Sequence, residues 1–258
     1  MLLSIDAGNT NLTLGGYDGG ALRFQARLAT DRRLTSDQLA VQLAELFRLY
    51  RADPALCEDA VIGSVAAELT GALAAAARAL TGKAPLVLAP GVKTGLNIRI
   101  DNPAQLGADL IATAVGAKAR YPLPCLVIDL GTATKISAIG ADGSFLGCSI
   151  AAGVAISLEA LAAYTSLLPR VALQAPPRCI GTNSVDSMQA GTVFGTASMI
   201  DGMIARMEQE LGAPAASIVA TGGLSGDIIR HCQRDILHST DLALFGLQEI
   251  YRRNRGGW

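Results

Sequence analysis

Leu3-Ser4-Ile5-Asp6-Ala7-Gly8-Asn9-Thr10-Asn11-Leu12-Thr13-Leu14 stands near the start of the chain. Leu126-Val127-Ile128-Asp129-Leu130-Gly131-Thr132-Ala133-Thr134-Lys135-Ile136-Ser137 stands near its middle. Each is an apolar run that ends on Asp-X-Gly, turns through hydroxyl or amide residues and resumes as a second strand. A further glycine turn follows each, Asp18-Gly19-Gly20 in the first and Asp142-Gly143 in the second. The aspartates lie 123 residues apart and the second turns 124, close to half of the 258-residue chain. That period indicates one duplicated domain rather than a solenoid. A single Asp-X-Gly is an ordinary turn; two in matched strand-turn-strand settings say more than either does alone.

Working outward, residues 37 to 50 show helical periodicity through Leu39, Val41, Leu43, Leu46 and Phe47, with Thr35-Ser36-Asp37 as cap candidates. Short buried strands are expected at 60–63 and 84–88, on either side of an alanine-rich helix. A helix is expected at 105–119, with Asp109 in its first turn, and others near 155–166, 184–211 and 241–254; a strand is expected at 217–220. Pro122 and Pro124 break the chain just before the second repeat. Two domains follow, 1–121 and 122–258, in an α/β architecture.

Both turns suit phosphate. Glycine permits close backbone approach, so main-chain N–H groups can face phosphate oxygens. Asn9, Thr10, Thr132 and Thr134 add neutral donors, and an aspartate suits Mg²⁺, which is commonly held by one or two carboxylates together with phosphates. Two such hairpins facing one another would grip a nucleoside triphosphate from both sides. Ile218-Val219-Ala220-Thr221-Gly222-Gly223 is a buried strand running into two glycines, a shape that lets a base or ribose approach the backbone or lets a strand and helix pack closely.

The bulk composition narrows the class. Half of the residues are hydrophobic, and 21 Lys plus Arg balance 22 Asp plus Glu. That balance opposes a nucleic acid or an anionic membrane as the main partner. The cluster Arg252-Arg253-Asn254-Arg255 reads as a solvated helix end. Cys57, Cys125, Cys148, Cys179 and Cys232 form no Cys-X-X-Cys pair; their apolar settings suit buried free thiols in a reducing cytoplasm. No signal peptide is expected, because Asp6 interrupts the first apolar run, and no membrane span, because no uncharged stretch of about 20 apolar residues occurs.

Taken together, these motifs resemble the acetate kinase/hexokinase/actin superfamily, and more narrowly the type III pantothenate kinases. Asp6, Ala7, Gly8, Asn9, Thr10, Asn11, Leu12 and Thr13 resemble the first phosphate motif, and Asp129 to Thr134 the second. Thr94-Gly95-Leu96, Asp101-Asn102-Pro103 and Leu106-Gly107-Ala108-Asp109 resemble the pantothenate motif. The stretch from Gly153 to Pro169, Gly181-Thr182-Asn183-Ser184 and Met188 to Gly191 resemble the family's dimer interface and part of its substrate pocket. Thr221-Gly222-Gly223 and the tail around Leu244 to Tyr251 complete the order.

The resemblance implies two ribonuclease H-like, actin-like domains with a nucleotide cleft between them. It implies a cytoplasmic homodimer that uses ATP to phosphorylate pantothenate to 4'-phosphopantothenate, the first step of coenzyme A synthesis. Asp109 would be the general base, and Asp6 would face Mg²⁺ and the phosphates. Asp129 would hold a monovalent cation (K⁺ or NH₄⁺), and Thr132, Gly222 and Gly223 would meet ATP. Ile100, Gly107, Ala108, Leu110 and Thr165 would line the pantothenate site, with Ser184 reaching in from a partner subunit. The chain departs from the pattern at the substrate, where Leu110 replaces an arginine and Ile100 a tyrosine. It departs again at Lys135 and Ser137, where Thr and Asp usually continue the second motif, and at Ala152, commonly proline. Lys135 either assists a phosphate or occupies the cation's neighbourhood. The losses at 100 and 110 also fit a kinase of another small hydroxyl compound, or a non-catalytic, regulatory nucleotide-binding relative.

Overall fold

The computed structural model describes residues 1–256 and resolves into two compact units. The first comprises Met1–Leu96, Asp101–Arg120 and Asp241–Trp258, the last two residues lying outside the described part; the second comprises Asn97–Ile100 and Tyr121–Thr240. The chain passes from one unit to the other at Arg120/Tyr121, next to the expected boundary. Two segments differ from the expectation: Asn97–Ile100 joins the second unit, and the tail from Asp241 returns to the first.

The first unit contains strands β1 (Leu2–Ala7), β2 (Asn11–Asp18) and β3 (Ala21–Ala29), helix α1 (Ser36–Leu49), strand β4 (Asp59–Ser64), helix α2 (Ala67–Thr81) and the short strand β5 (Leu86–Val87). Its sheet has the order β3-β2-β1-β4-β5. β1 and β2 pair antiparallel, whereas β1 and β4 pair parallel. β1 is central, with neighbours on both edges, so every residue but Asp6 is buried and the strand is mostly apolar, with Ser4 the one polar side chain wholly inside. Helix α1 starts with a capping box: the Gln38 N–H donates to Thr35 Oγ1 and the Thr35 N–H to Gln38 Oε1. It buries Leu39, Leu43 and Phe47 in one core with Leu3, Ile5, Leu69 and Leu73.

After strand β6 (Asn97–Ile98) and helix α3 (Ala108–Arg120), the second unit repeats the plan with β7 (Cys125–Leu130), β8 (Ala133–Ile139) and β9 (Ser144–Ala152). Helices α4 (Val154–Tyr164) and α5 (Ser184–Leu211), strand β10 (Ser217–Thr221), helix α6 (Ser225–Ile229) and strand β11 (Leu237–His238) follow. The sheet order is β11-β10-β7-β8-β9-β6. Without β6 this is the first sheet again: an antiparallel three-strand meander followed by two parallel strands. The internal repeat in the sequence is therefore a repeat of topology. Helix α5 ends at Gly212, whose φ of 72° is the left-handed cap conformation.

The last helix, α7 (Leu242–Arg255), belongs to the first unit and lies against α3, β1, β2 and β4. Its approach to α3 is backbone on backbone: a Cβ at Gly246 would come within 1.8 Å of the Ala112 carbonyl oxygen, and one at Gly116 within 2.4 Å of the Leu242 carbonyl oxygen. Leu244 and Leu247 close a core with Leu2, Tyr17, Val61 and Ala112. Asp59 is buried at the start of β4 and is satisfied by the Ala60 N–H, the Tyr251 hydroxyl at 3.0 Å and the Arg255 guanidinium at 3.3 Å. Burial and the Asp59 carboxylate push the Tyr251 phenol up to about 12. The tail expected to be a solvated basic end is thus partly structural: Arg255 anchors Asp59, and Arg253 lies over Gly95.

Candidate active site

Both Asp-X-Gly turns sit at the carboxyl ends of central parallel strands, where open α/β sheets bind ligands. In the first, Ala7 faces Leu12 across the hairpin and Asp6 faces Thr13. The Gly8 N–H is engaged by the Asn11 carbonyl at 3.0 Å. In the second, the Gly131 N–H goes to the Ala133 carbonyl at 3.2 Å. The glycine amides therefore close the turns themselves, which leaves the other main-chain N–H groups of the turns as the ones to face a phosphate. The exposed residues Asn9, Thr10, Asn11 and Thr132 form the rims of the two turns.

Sequence reading missed two residues that support the first turn. The Thr30 hydroxyl donates to the Gly8 carbonyl at 2.8 Å and the Thr30 N–H to the Thr10 carbonyl at 2.9 Å. Arg32 donates to Asn9 Oδ1 at 3.0 Å, setting a guanidinium beside the turn. Neither lies in a motif. The only signal is register, because the end of β3 runs beside the start of β2, with Ala29 opposite Asn11.

Asp109 is half-buried in the first turn of α3. Its Oδ1 accepts the Leu110 N–H at 2.8 Å, and a Cβ on Gly107 would lie 2.5 Å from the same oxygen. That Cβ would also meet Val65, whose N–H donates to the carbonyl of Ala7 at 2.9 Å. Gly107 therefore lies close to both the Asp109 carboxylate and Val65, the residue that follows β4 and bonds the end of β1. Leu110, only 7% exposed, points into packed surroundings.

In the second unit, β10 runs parallel to β7 with Thr221 opposite Asp129. A Cβ on Gly222, where φ is 96°, would lie 2.6 Å from the Leu130 carbonyl and 2.8 Å from Asp129 Oδ1. The Thr221-Gly222-Gly223 motif and the second hairpin are therefore one site, with Gly222 lying against Asp129 and Leu130. On the other side of that carboxylate, Lys135 Nζ is 2.8 Å from Asp129 Oδ2, and both side chains are largely buried. Asp129, expected to hold K⁺ or NH₄⁺, already has a cation on Oδ2 and glycine backbone against Oδ1. The residues present do not fit a separate monovalent ion there. Among the described residues no group of three or more His, Cys, Asp or Glu could hold a metal ion.

Ile100, Thr165 and Ser184 fall in the second unit, and Asp6, Gly107, Ala108, Asp109 and Leu110 in the first. Ser184 opens α5 and lines a cavity of about 590 Å³ with Leu161, Leu168, Asn183, Ser187 and Met188. The Thr165 hydroxyl donates to the Leu161 carbonyl at 2.7 Å, so it finishes α4.

Residues 2–206 match the family described as type III pantothenate kinase. The chain belongs to that family. A relative from Myxococcus xanthus named type III pantothenate kinase is 43% identical over 98% of this chain and 99% of its own length. One of the same name from Anaeromyxobacter sp. (strain Fw109-5) is 40% identical over 99% and 100%. Among solved structures, an activator of 2-hydroxyisocaproyl-CoA dehydratase from Clostridium difficile, with bound ADPNP, superimposes with a TM-score of 0.56. It is 11% identical and covers 100% of this chain and 98% of that one, which supports the actin-like fold alone.

Proposed function

We propose that the chain transfers the γ-phosphoryl group of ATP to the primary hydroxyl of pantothenate, giving 4'-phosphopantothenate and opening coenzyme A synthesis. The observation that carries this reading is Asp109, a half-buried carboxylate close to Gly107 and near Val65, which bonds the end of β1. Asp109 accepts the hydroxyl proton as the oxygen attacks the γ-phosphorus, and ADP leaves with the electrons of the broken P–O bond. Asn9, Thr10, Asn11 and Thr132 at the turn rims, with Arg32 behind Asn9, are the donors for phosphate oxygens. Gly222 packs against Leu130, where any side chain would strike, and with Gly223 keeps the backbone bare beside the second hairpin, where the adenosine binds. Mg²⁺ on Asp6, when bound, neutralises charge on the phosphates. Phosphoryl transfer depends on such positioning and charge more than on the base.

Ser184, which lines the cavity at the start of α5, reaches the acceptor from the partner subunit of a homodimer. A homodimer fits the same region: Tyr164, Leu167 and Ile180 are 89%, 90% and 83% exposed, an apolar surface unusual on a monomer. Helix α5 does not add to it as expected, because Met188, Val193 and Ile200 are buried in the second unit's own core. Residence in a reducing cytoplasm fits five cysteines that form no disulfide, although Cys148 and Cys179 are exposed rather than buried. No helix among the described residues is long and apolar enough to cross a membrane.

The decisive assay measures ADP release with pantothenate, ATP and magnesium, in sodium buffer and again with potassium or ammonium. Saturable turnover is expected, and none at millimolar pantothenate in any salt would sink the assignment. Ile100 supports a second reading, a less polar hydroxyl acceptor; a panel of alcohols decides it, and activity on pantothenate alone counts against it.

A further inference from the structure

The second phosphate hairpin carries a residue that the proposed reaction does not use. β7 and β8 pair so that Lys135 stands directly opposite Asp129, whereas Thr13 stands opposite Asp6 in the first hairpin. Cross-strand partners in a sheet are near neighbours, so a side chain at this position meets the aspartate by construction. The lysine does so: Nζ is 2.8 Å from Oδ2, with the two side chains 14% and 17% exposed. The carboxylate is enclosed elsewhere by Gly222 and Gly131, where added Cβ atoms would lie 2.8 and 3.4 Å from Oδ1. The pair is therefore a sheltered ion pair in a built setting, not a surface bridge between two mobile side chains.

An alkylammonium and a free ammonium ion offer a carboxylate the same N–H donors and the same charge. A second cation at Oδ2 would have to displace Nζ or sit beside it, against like charge. Tethering also makes the site permanently filled, because the effective concentration of an attached group exceeds that of buffer cations. We infer that Lys135 is a built-in monovalent cation for Asp129, so that this chain binds nucleotide and transfers phosphate without potassium or ammonium. The inference rests on the phosphoryl-transfer reading above for its consequence in turnover, but not for its consequence in cation binding.

Two measurements test it. Turnover of the wild-type chain is compared in sodium, potassium and ammonium chloride at equal ionic strength, with magnesium constant. Rates within about twofold of one another are expected, and stimulation of about tenfold or more by potassium or ammonium overturns the inference. The second measurement is thermal melting in the same salts, which needs no substrate. The wild type should melt alike in all three. Lys135→Thr, which installs the residue that the first hairpin has opposite its own aspartate, should gain roughly 2–4 °C in potassium or ammonium over sodium. Its turnover should be lost in sodium and restored by either ion. A Lys135→Thr protein as active in sodium as the wild type, or a wild type melting selectively higher in potassium, overturns the inference. If Lys135→Thr does not fold, Lys135→Gln carries the same expectations, and the wild-type comparisons stand without either variant. Absence of turnover on pantothenate in every salt defeats the assigned reaction instead, and the melting curves still decide the cation.

Discussion

Asp109 shows how one side chain can be ambiguous in the sequence and constrained in the structure. A carboxylate in the first turn of a helix is favourable for electrostatic reasons alone, so its position in α3 does not separate a base from a cap. Its nearness to Gly107 and Val65, at the end of β1, is what supports the base role proposed above. Asp109→Asn is expected to lower kcat by about 10²–10⁴-fold while leaving the affinity for ATP and the melting temperature nearly unchanged. An unchanged rate in an active preparation removes Asp109 from the base role. Position 135 is the opposite case. Its departure from the family pattern is plain in the sequence, but whether the ammonium meets a phosphate or the aspartate depends on hairpin register. The second loop is one residue shorter between paired strands: Leu130 faces Thr134, where Ala7 faces Leu12. No pattern of apolar residues reveals that difference.

Among the elements, periodicity located α1, α5, α7 and the central strands to within a few residues, because each buries one continuous face or is capped by recognisable residues. It did not locate β6, which is two residues long and exists only as an added edge on β9. Nor did it find that the α3–α7 contact is made of backbone. Gly246→Ala should lower the melting temperature by roughly 3–10 °C, since its methyl would overlap the Ala112 carbonyl and the helices would have to separate. A melting curve superimposable on the wild type would contradict the close approach. Near the end of α5, Arg234 donates to both oxygens of Glu208 at 2.9 and 2.6 Å. Those hydrogen bonds hold the Glu208 carboxyl below its ordinary range. A carboxylate depressed in the folded state contributes stability above its unfolded pKa, near ~4.3, and loses it as the pH falls through the lower folded value. The deficit of Glu208→Gln relative to wild type should therefore be largest at neutral pH and close below about pH 4; a deficit independent of pH would show that the carboxylate's charge is not what matters.

For the molecule as a whole, the exposed apolar residues after α4 predict self-association. Sedimentation should give a dimer, and Leu167→Asp should shift it toward monomer while the two units remain folded; a wild type that is monomeric at tens of micromolar would refute it. The tail has a consequence for how the protein is made. β1 and β4 are made early and α7, which packs on them, only after the whole second unit, so the growing chain carries them with one apolar face uncovered until α7 emerges. The second unit needs nothing after Thr240 and can close earlier, reversing the usual order in which domains mature on the ribosome. Nascent chains arrested before Asp241 should be cut readily by protease within residues 1–120 and resist cutting between 121 and 240. A chain cut short before Asp241 would thus lose the cover of its earliest-made sheet rather than any part of the unit it had just completed.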